Sequence, residues 1–342
     1  MICDPSGLRL YFNEFPRRPP TRVLEAARRA LADANRYPDE ALAEELKSLM
    51  ASYSGVGPEN VHAASGGEYV FYELFSRLVK PGDRVLLLEP TFTSYEPILR
   101  ALGAEVHKLR LEESSDRWHL PWDALTSSLS SLKPKLLVVD DPNNPTGSRM
   151  FPSEDAVREV CSSFDGHLFL DEAYTEYAGY SSSRLITGLD NLVIFRTMSK
   201  AFAMAGMRVS FLLAAKDLIR SIEGFSPRFE LSRASLAAAV EALRDPSYAS
   251  KNAEYIREER SRVRRALLGV GELRVYESLT NFLLMRFPDP SAVERLKFRV
   301  MRPSFAREFA RLSLGTRSQD DCALRLVREA LEADKALPHA GR

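Results

Sequence analysis

Cysteine is scarce in this 342-residue chain: Cys3, Cys161 and Cys322 lie far apart, odd in number and without CxxC spacing. Neither a disulfide framework nor a zinc site is expected, and the compartment reads as reducing cytosol. Long apolar runs are missing, since no stretch approaches the ~18 consecutive apolar residues of a membrane-spanning helix. The first twenty residues, MICDPSGLRLYFNEFPRRPP, mix acids with prolines, so no signal peptide is expected. An excess charge of one sign is absent as well: 47 basic and 47 acidic side chains cancel. That balance argues against a nucleic-acid partner and a polybasic membrane contact. There is no GxGxxG after the first strand and no GxxxxGK[ST] anywhere, which weighs against nicotinamide and P-loop nucleotide sites. The five histidines, His62, His107, His119, His167 and His339, have no metal-ligand spacing, and no metal is expected.

What is present is a globular composition, 45% hydrophobic and 27% charged, which excludes disorder. The length exceeds the roughly 250 to 300 residues at which one core stops growing, so two lobes are expected. The segment up to Pro20 carries Pro5, Pro16, Pro19 and Pro20 and reads as an extended arm, because proline fixes φ and lacks a backbone donor. Thr21 is placed to cap a helix over VLEAARRALADA, and a second amphipathic run, DEALAEELKSLMASY, ends at Gly55 and Gly57. Then RVLLLEP, EVHKLRL, KLLVVDDP, HLFLDEA, NLVIFRT and RVSFLLAA alternate with helical patterns. Such alternation means a mostly parallel sheet covered on both faces, with ligands at the carboxyl ends of its strands. A charged helix from about Ser247 to Leu267 connects to a smaller α+β lobe. The expected division is an arm and helix over 1–36 associated with the small domain, a large α/β domain over 37–246, and a connector helix with the small domain over 247–342.

Polar strings fall at the ends of these strands. Lys200, in RTMSKAFAMAGMR, follows a strand among Phe195, Met198, Phe202 and Met204. A lysine desolvated there loses its proton readily and becomes nucleophilic, as Schiff-base chemistry needs; a lysine after a strand is otherwise an ordinary surface group. Asp171 and Glu172 close HLFLDEAY, where a carboxylate faces the crevice and can hold a protonated ring nitrogen, although DE is also a common helix cap. In KLLVVDDPNNPTG a tight turn presents Asn143, Asn144, Pro145, Thr146 and Gly147. Ser65, Gly66 and Gly67 precede the helix EYVFYELF, whose N-terminus suits an anion. Ser199 and Arg208 flank Lys200 and add a hydroxyl and a permanent charge. Tyr95, in EPTFTSYEP, either stacks on a planar ring or packs in the core.

Together PNNPTG, DEAY and TMSKAFAMAGMR resemble the fold type I pyridoxal-phosphate enzymes of the aspartate aminotransferase superfamily. The resemblance is closest to the histidinol-phosphate aminotransferases, from NEFP through RYPD, TNFLLMRF and RLSLGTR. It implies an α/β fold with a mostly parallel seven-stranded sheet between helices, a small α+β domain, pyridoxal 5′-phosphate as cofactor, and a cytoplasmic homodimer with shared sites. It assigns Lys200 to covalent attachment of the cofactor and to proton transfer, Asp171 to the pyridine N–H, and Asn144 and Tyr174 to the ring's phenolic oxygen. Tyr95 would stack on the ring; Gly66, Gly67, Thr197, Ser199 and Arg208 would hold the phosphate, reached by Tyr37 of the other subunit. Arg311 would bind the acidic end of the substrate, with Arg302 as companion and Asn13 and Arg17 of the arm as further substrate-binding residues. The implied partners are an amino donor and a phosphorylated small molecule.

The pattern departs from the family in places. SGGE replaces the usual GSDE or GADE, leaving Gly67 where an aspartate is common, and NEFPR puts Arg17 where a substrate-phosphate tyrosine is usual. Only a short loop separates Arg302 from Arg311. A threonine-phosphate decarboxylase, a broad or aromatic aminotransferase lined by Tyr11, Phe12 and Phe15, and a non-catalytic ligand sensor of this fold remain as alternatives.

Overall fold

The computed structural model describes residue 4 and residues 7–335, so Cys3, Pro5 and His339 lie outside the described residues. A short strand, β1 (Arg9–Leu10), opens the chain, followed by α1 (Thr21–Ala30) and α2 (Glu40–Ser54). The central part runs β2 (Val61–Ser65), α3 (Gly67–Leu78), β3 (Arg84–Glu89), α4 (Tyr95–Ala101), β4 (Glu105–Arg110), β5 (Glu112–Glu113), β6 (Trp118–His119) and α5 (Trp122–Leu132). It continues through β7 (Leu136–Asp140), α6 (Glu154–Ser162), β8 (His167–Asp171), α7 (Thr175–Ala178), β9 (Leu192–Thr197), β10 (Val209–Ala214), α8 (Lys216–Glu223) and α9 (Arg233–Arg244). The last part is α10 (Ser247–Leu268), β11 (Arg274–Val275), β12 (Phe282–Arg286), α11 (Pro290–Glu294), β13 (Arg299–Val300), β14 (Phe309–Ser313) and α12 (Arg317–Lys335).

A seven-stranded sheet in the order β2-β10-β9-β8-β7-β3-β4 forms the large layer. Strands β9, β8, β7, β3 and β4 are mutually parallel, and β10 is antiparallel to both neighbours. Every residue of β7, β9 and β10 is buried, as expected of strands covered on both faces. Because β10 runs antiparallel to both β2 and β9, the end of β2 at Ser65 lies in register with Val209, and Thr197 with Ser210. The last residues of β2 and β9 therefore reach the same edge of the sheet as the first residues of β10.

Local chemistry sets the helix ends. The Asp39 carboxylate accepts the Ala41 N–H at the start of α2, and Gly55 ends it at φ 73°, the left-handed conformation glycine adopts without a Cβ clash. Thr21, expected as a cap, is instead the first residue of α1; Pro20 occupies the capping position and offers no side-chain acceptor.

Strands β11, β12 and β14 make a second, antiparallel sheet. The arm joins this side of the molecule through β1, which pairs with β13 at Arg9 with Arg299 and Leu10 with Val300. Helix α1, grouped by the sequence reading with the C-terminal lobe, packs instead against α9, where Arg22 donates to the Glu241 and Asp245 carbonyls at 2.6 and 2.7 Å. Its buried face of Val23, Ala26 and Ala27 is what drives that choice. Cys161 is free and buried, whereas Cys322 is disulfide-bonded.

Candidate active site

The carboxyl ends of β3, β7, β8 and β9 open into a cavity of about 1270 Å³. Lys200 stands three residues beyond β9 and Asp171 is the last residue of the neighbouring β8. The lysine is half-buried, its Nζ donating to the Phe12 carbonyl at 3.2 Å and lying 5.7 Å from the centre of the Tyr174 ring. Burial, reinforced by the Arg311 charge, pulls its pKa down to about 8, against a smaller opposing pull from Asp171. The Asp171 carboxylate accepts the Tyr95 hydroxyl at 2.6 Å and the Ala173 N–H at 2.8 Å. Burial lifts its pKa to about 6 in spite of those donors.

The turn after β7 is pinned from beneath. Asp140 accepts the Asn144 N–H at 2.8 Å, the Asn143 amide at 2.7 Å and the Thr91 hydroxyl at 2.8 Å. Asn143 caps the turn internally by accepting the Thr146 hydroxyl at 2.6 Å. The Asn144 side chain is thereby turned to the cavity, where its Oδ1 accepts from Arg311 at 2.5 Å. Arg311 comes from β14, is buried, and donates also to the Tyr11 carbonyl at 2.5 Å. Burial lowers its pKa to about 10, still cationic at neutral pH, and its Nε has no partner among the described residues. Asn13, held at φ 55°, donates to the Tyr174 hydroxyl at 2.8 Å and accepts from Ser313 at 2.6 Å. The arm thus roofs the cavity.

At the other end, Gly66 precedes α3 at φ 72°, and a Cβ there would collide with the Arg208 guanidinium. Ser199 N–H donates to Thr197 Oγ1 at 3.1 Å, and the Ser210 hydroxyl to the same oxygen at 3.0 Å. Thr197, Ser199, Arg208 and Gly67 all line the cavity. Backbone donors at a helix N-terminus, two hydroxyls and a guanidinium form a cup for an oxyanion.

Residues 6–325 match the family described as aminotransferase class I and II. The chain belongs to that family. It is 33% identical over 327 residues to the histidinol-phosphate aminotransferase of Sulfurisphaera tokodaii, covering 95% of this chain and 91% of that protein. The histidinol-phosphate aminotransferase of Methanothermobacter thermautotrophicus is 33% identical over 83% of this chain and 76% of its own length. Among solved structures, a double mutant of Thermus thermophilus aspartate aminotransferase shares 27% identity at a TM-score of 0.82, covering 95% of this chain and 91% of that one. The Sinorhizobium meliloti histidinol-phosphate aminotransferase, solved with pyridoxal 5′-phosphate, superposes with a TM-score of 0.87 over 96% and 92% of the two chains at 23% identity. The fold is that of this aminotransferase family, with its mostly parallel central sheet.

Several of the positions named from the family resemblance fall elsewhere than expected. Tyr95 is fully buried in a cluster with Phe71, Phe75, Phe92 and Phe169. Its hydroxyl is committed to Asp171, so it supports the carboxylate and is not a free stacking face. The sequence reading passed over Phe92, which lines the same wall and stays half-buried; its place two residues after Pro90 was the available signal. Arg17 does not line the cavity: its guanidinium lies 3.9 Å from the centre of the Tyr255 ring, a cation–π contact that holds it against α10. Arg302 reaches the rim but donates to the Val293 carbonyl at 3.2 Å, so it does not pair with Arg311. Glu172 turns away from Asp171 to accept the Ser182 N–H at 2.6 Å and the Ser181 hydroxyl at 2.5 Å. Tyr37 is 76% exposed, stacked on Phe229 at 4.7 Å and outside the cavity of its own chain.

Proposed function

We propose that this aminotransferase depends on pyridoxal 5′-phosphate and exchanges the amino group of histidinol phosphate with 2-oxoglutarate, in a ping-pong sequence. The observation that carries the reading is the shared cavity: a lysine with a lowered pKa, a buried carboxylate and a buried arginine converge there. The donor set fits the cofactor, because a nucleophilic amine, an acceptor for a ring N–H and an oxyanion cup lie in one space, and the missing side chain of Gly66 lets the Arg208 guanidinium close against that cup. When bound, the cofactor supplies a conjugated electron sink for the pair left by a broken Cα–H bond.

The chain's own groups do the rest. Lys200 Nζ would hold the cofactor covalently, and as a free amine it is the group placed to take the proton from the substrate's Cα. Asp171, ionised above about pH 6, keeps a ring nitrogen protonated, and Tyr95 fixes the carboxylate by its hydrogen bond. Tyr174 and Asn144 present a hydroxyl and an amide to the phenolic oxygen. Gly66, Gly67, Thr197, Ser199 and Arg208 hold the phosphate. Arg311 receives the acidic end of each substrate, the carboxylate of glutamate or the phosphate of the imidazole compound, with Asn13 fixing the arm above it. The relatives' names support the imidazole substrate. The exposed Tyr37 supports a homodimer in which that side chain completes the partner's phosphate cup. In this reading the large domain spans 37–246 and the small domain 247–342.

A half-reaction titration tests the substrate. The bound aldehyde is expected to convert to the amine form faster with histidinol phosphate than with threonine phosphate or phenylalanine, followed by absorbance. Carbon dioxide released from threonine phosphate would replace this reading with a decarboxylase.

A further inference from the structure

A second cavity, of about 950 Å³, lies between α10 and the segment that follows the β7 turn. On one wall, Arg260, Arg264 and Arg265 come from the last turns of α10; across from them stand Arg117 and Arg149. Arg117 is occupied, pairing with Glu277 at 2.8 Å and with Asp116. The other four form no ion pair with a carboxylate among the described residues. Arg149 lies 4.1 Å from the Tyr180 ring centre and Arg260 donates to the Thr280 carbonyl at 2.7 Å. Two donors of this cavity are buried with no acceptor: Arg264 Nε and the indole Nε1 of Trp118, whose side chain is more than nine-tenths buried.

Ordinary structural roles do not account for this collection. A cation in the last turn of a helix complements its dipole, which covers Arg265 but not Arg149 on the facing wall. Arginines on solvated surfaces normally spread apart or alternate with acids. Here burial, and to a lesser extent the neighbouring Arg257 charge, pulls the Arg260 pKa down to about 10. Buried donors without acceptors are rare in folded proteins and point to a missing partner. Glu277 is the one carboxylate that lines the cavity and it is paired with Arg117, so the charged groups left without an opposite charge are all arginines and the fitting partner is rich in acceptors and multiply negative.

The cavity is also tied to the first one. Gly147 and Ser148 line it, while Asn144 of the same turn holds Arg311 on the other side. Gly147 sits at φ 76° with Ser278 so close that a Cβ would collide with it, and the Leu279 N–H donates to the Gly147 carbonyl at 2.8 Å. Two residues on, the Asn281 amide donates to the Asn13 carbonyl at 2.9 Å in the arm. Two short, tightly packed segments therefore separate the cavities.

We propose that this cavity is a binding site for a compact phosphate-bearing polyanion of small-molecule size, and that its occupancy alters how Arg311 meets the acidic substrate. The site is separate from the cofactor cup and does not depend on which amine is transaminated. Inorganic diphosphate is the probe, titrated calorimetrically into the cofactor-loaded protein, with sodium chloride at matched ionic strength as blank. Binding is expected to weaken about tenfold or more in Arg264→Gln, as loss of a charge-assisted contact implies. The same weakening is expected in Arg149→Gln, an exposed position whose change leaves the fold intact, and binding should persist in Arg311→Gln. The KM for the acidic substrate is expected to change with diphosphate in the unsubstituted protein and not in Arg149→Gln. Binding unchanged in both cavity variants, or lost in Arg311→Gln, would overturn the proposal. So would a KM that responds to diphosphate equally in Arg149→Gln and the unsubstituted protein.

Discussion

The proposed role of Lys200 rests on its setting: the cavity wall desolvates it while Arg311 repels its charged form. Half of it is neutral near pH 8, where an ordinary lysine would need pH 10.5. The rate at which cofactor-free protein captures pyridoxal 5′-phosphate is therefore expected to rise with a midpoint near pH 8; a midpoint near 10.5 would show that the amine is solvated. The stability of the cofactor-free protein follows with a defined sign. Between about pH 8 and 10.5 the unfolded chain binds more protons at this lysine than the folded one, so its contribution to stability rises with pH across that window. At Asp171 the sign is opposite between about 4 and 6, where the folded form keeps the extra proton. Arg311 makes two charge-assisted contacts, to Asn144 and the Tyr11 carbonyl, that a lysine cannot reproduce as a fork. Arg311→Lys is expected to raise the KM for the acidic substrate about tenfold to a hundredfold, from the ~1.5–3 kcal/mol of a charged hydrogen bond, as steady-state kinetics would show. Side-chain direction is what the sequence withheld. Asp171 and Glu172 are adjacent acids at a strand end, and only the fold sends one to the cavity and the other to Ser181 and Ser182. Phe92 lies in the loop before α4 and Tyr95, three residues on, opens that helix; which of them is buried depends on the cluster around Phe71 and Phe169.

The strands were the most legible elements, because β3, β7, β8, β9 and β10 are buried on both faces and read as unbroken apolar runs. β2 was not read as a strand: VHAAS is short, weakly apolar and half-polar, and its place in the sheet comes from pairing with β10. That strand nevertheless positions Gly66. Gly66→Ala combines a residue at φ 72° with a collision at Arg208, so cofactor affinity is expected to fall by about tenfold or more through displacement of one charge-assisted phosphate donor. An unchanged dissociation constant would separate that junction from the phosphate. At α2, Asp39→Ala removes a capping acceptor and is expected to cost about 1 kcal/mol of stability, measured by chemical denaturation, without changing turnover. Arg17 and Arg302 show the limit of motif transfer: each matches a position by sequence, yet Tyr255 and the Val293 carbonyl claim them.

The two sheets meet across the arm, whose β1 joins β13 while Asn13 ties Tyr174 to Ser313. Among the described residues no helix is long and apolar enough to cross a membrane. Tyr37 stands outside the cavity on an exposed stack with Phe229, which agrees with the proposal, drawn from the family resemblance, that it serves a partner's site. Mixing Tyr37→Ala and Lys200→Ala proteins under subunit exchange is expected to restore activity, since one site of the mixed dimer then has both side chains; no recovery would oppose shared sites. All of this depends on one covalent bond. Borohydride reduction of the cofactor-saturated protein, followed by digestion and mass spectrometry, is expected to place the pyridoxyl label on the peptide containing Lys200. A label on another lysine, or none, would contradict the account.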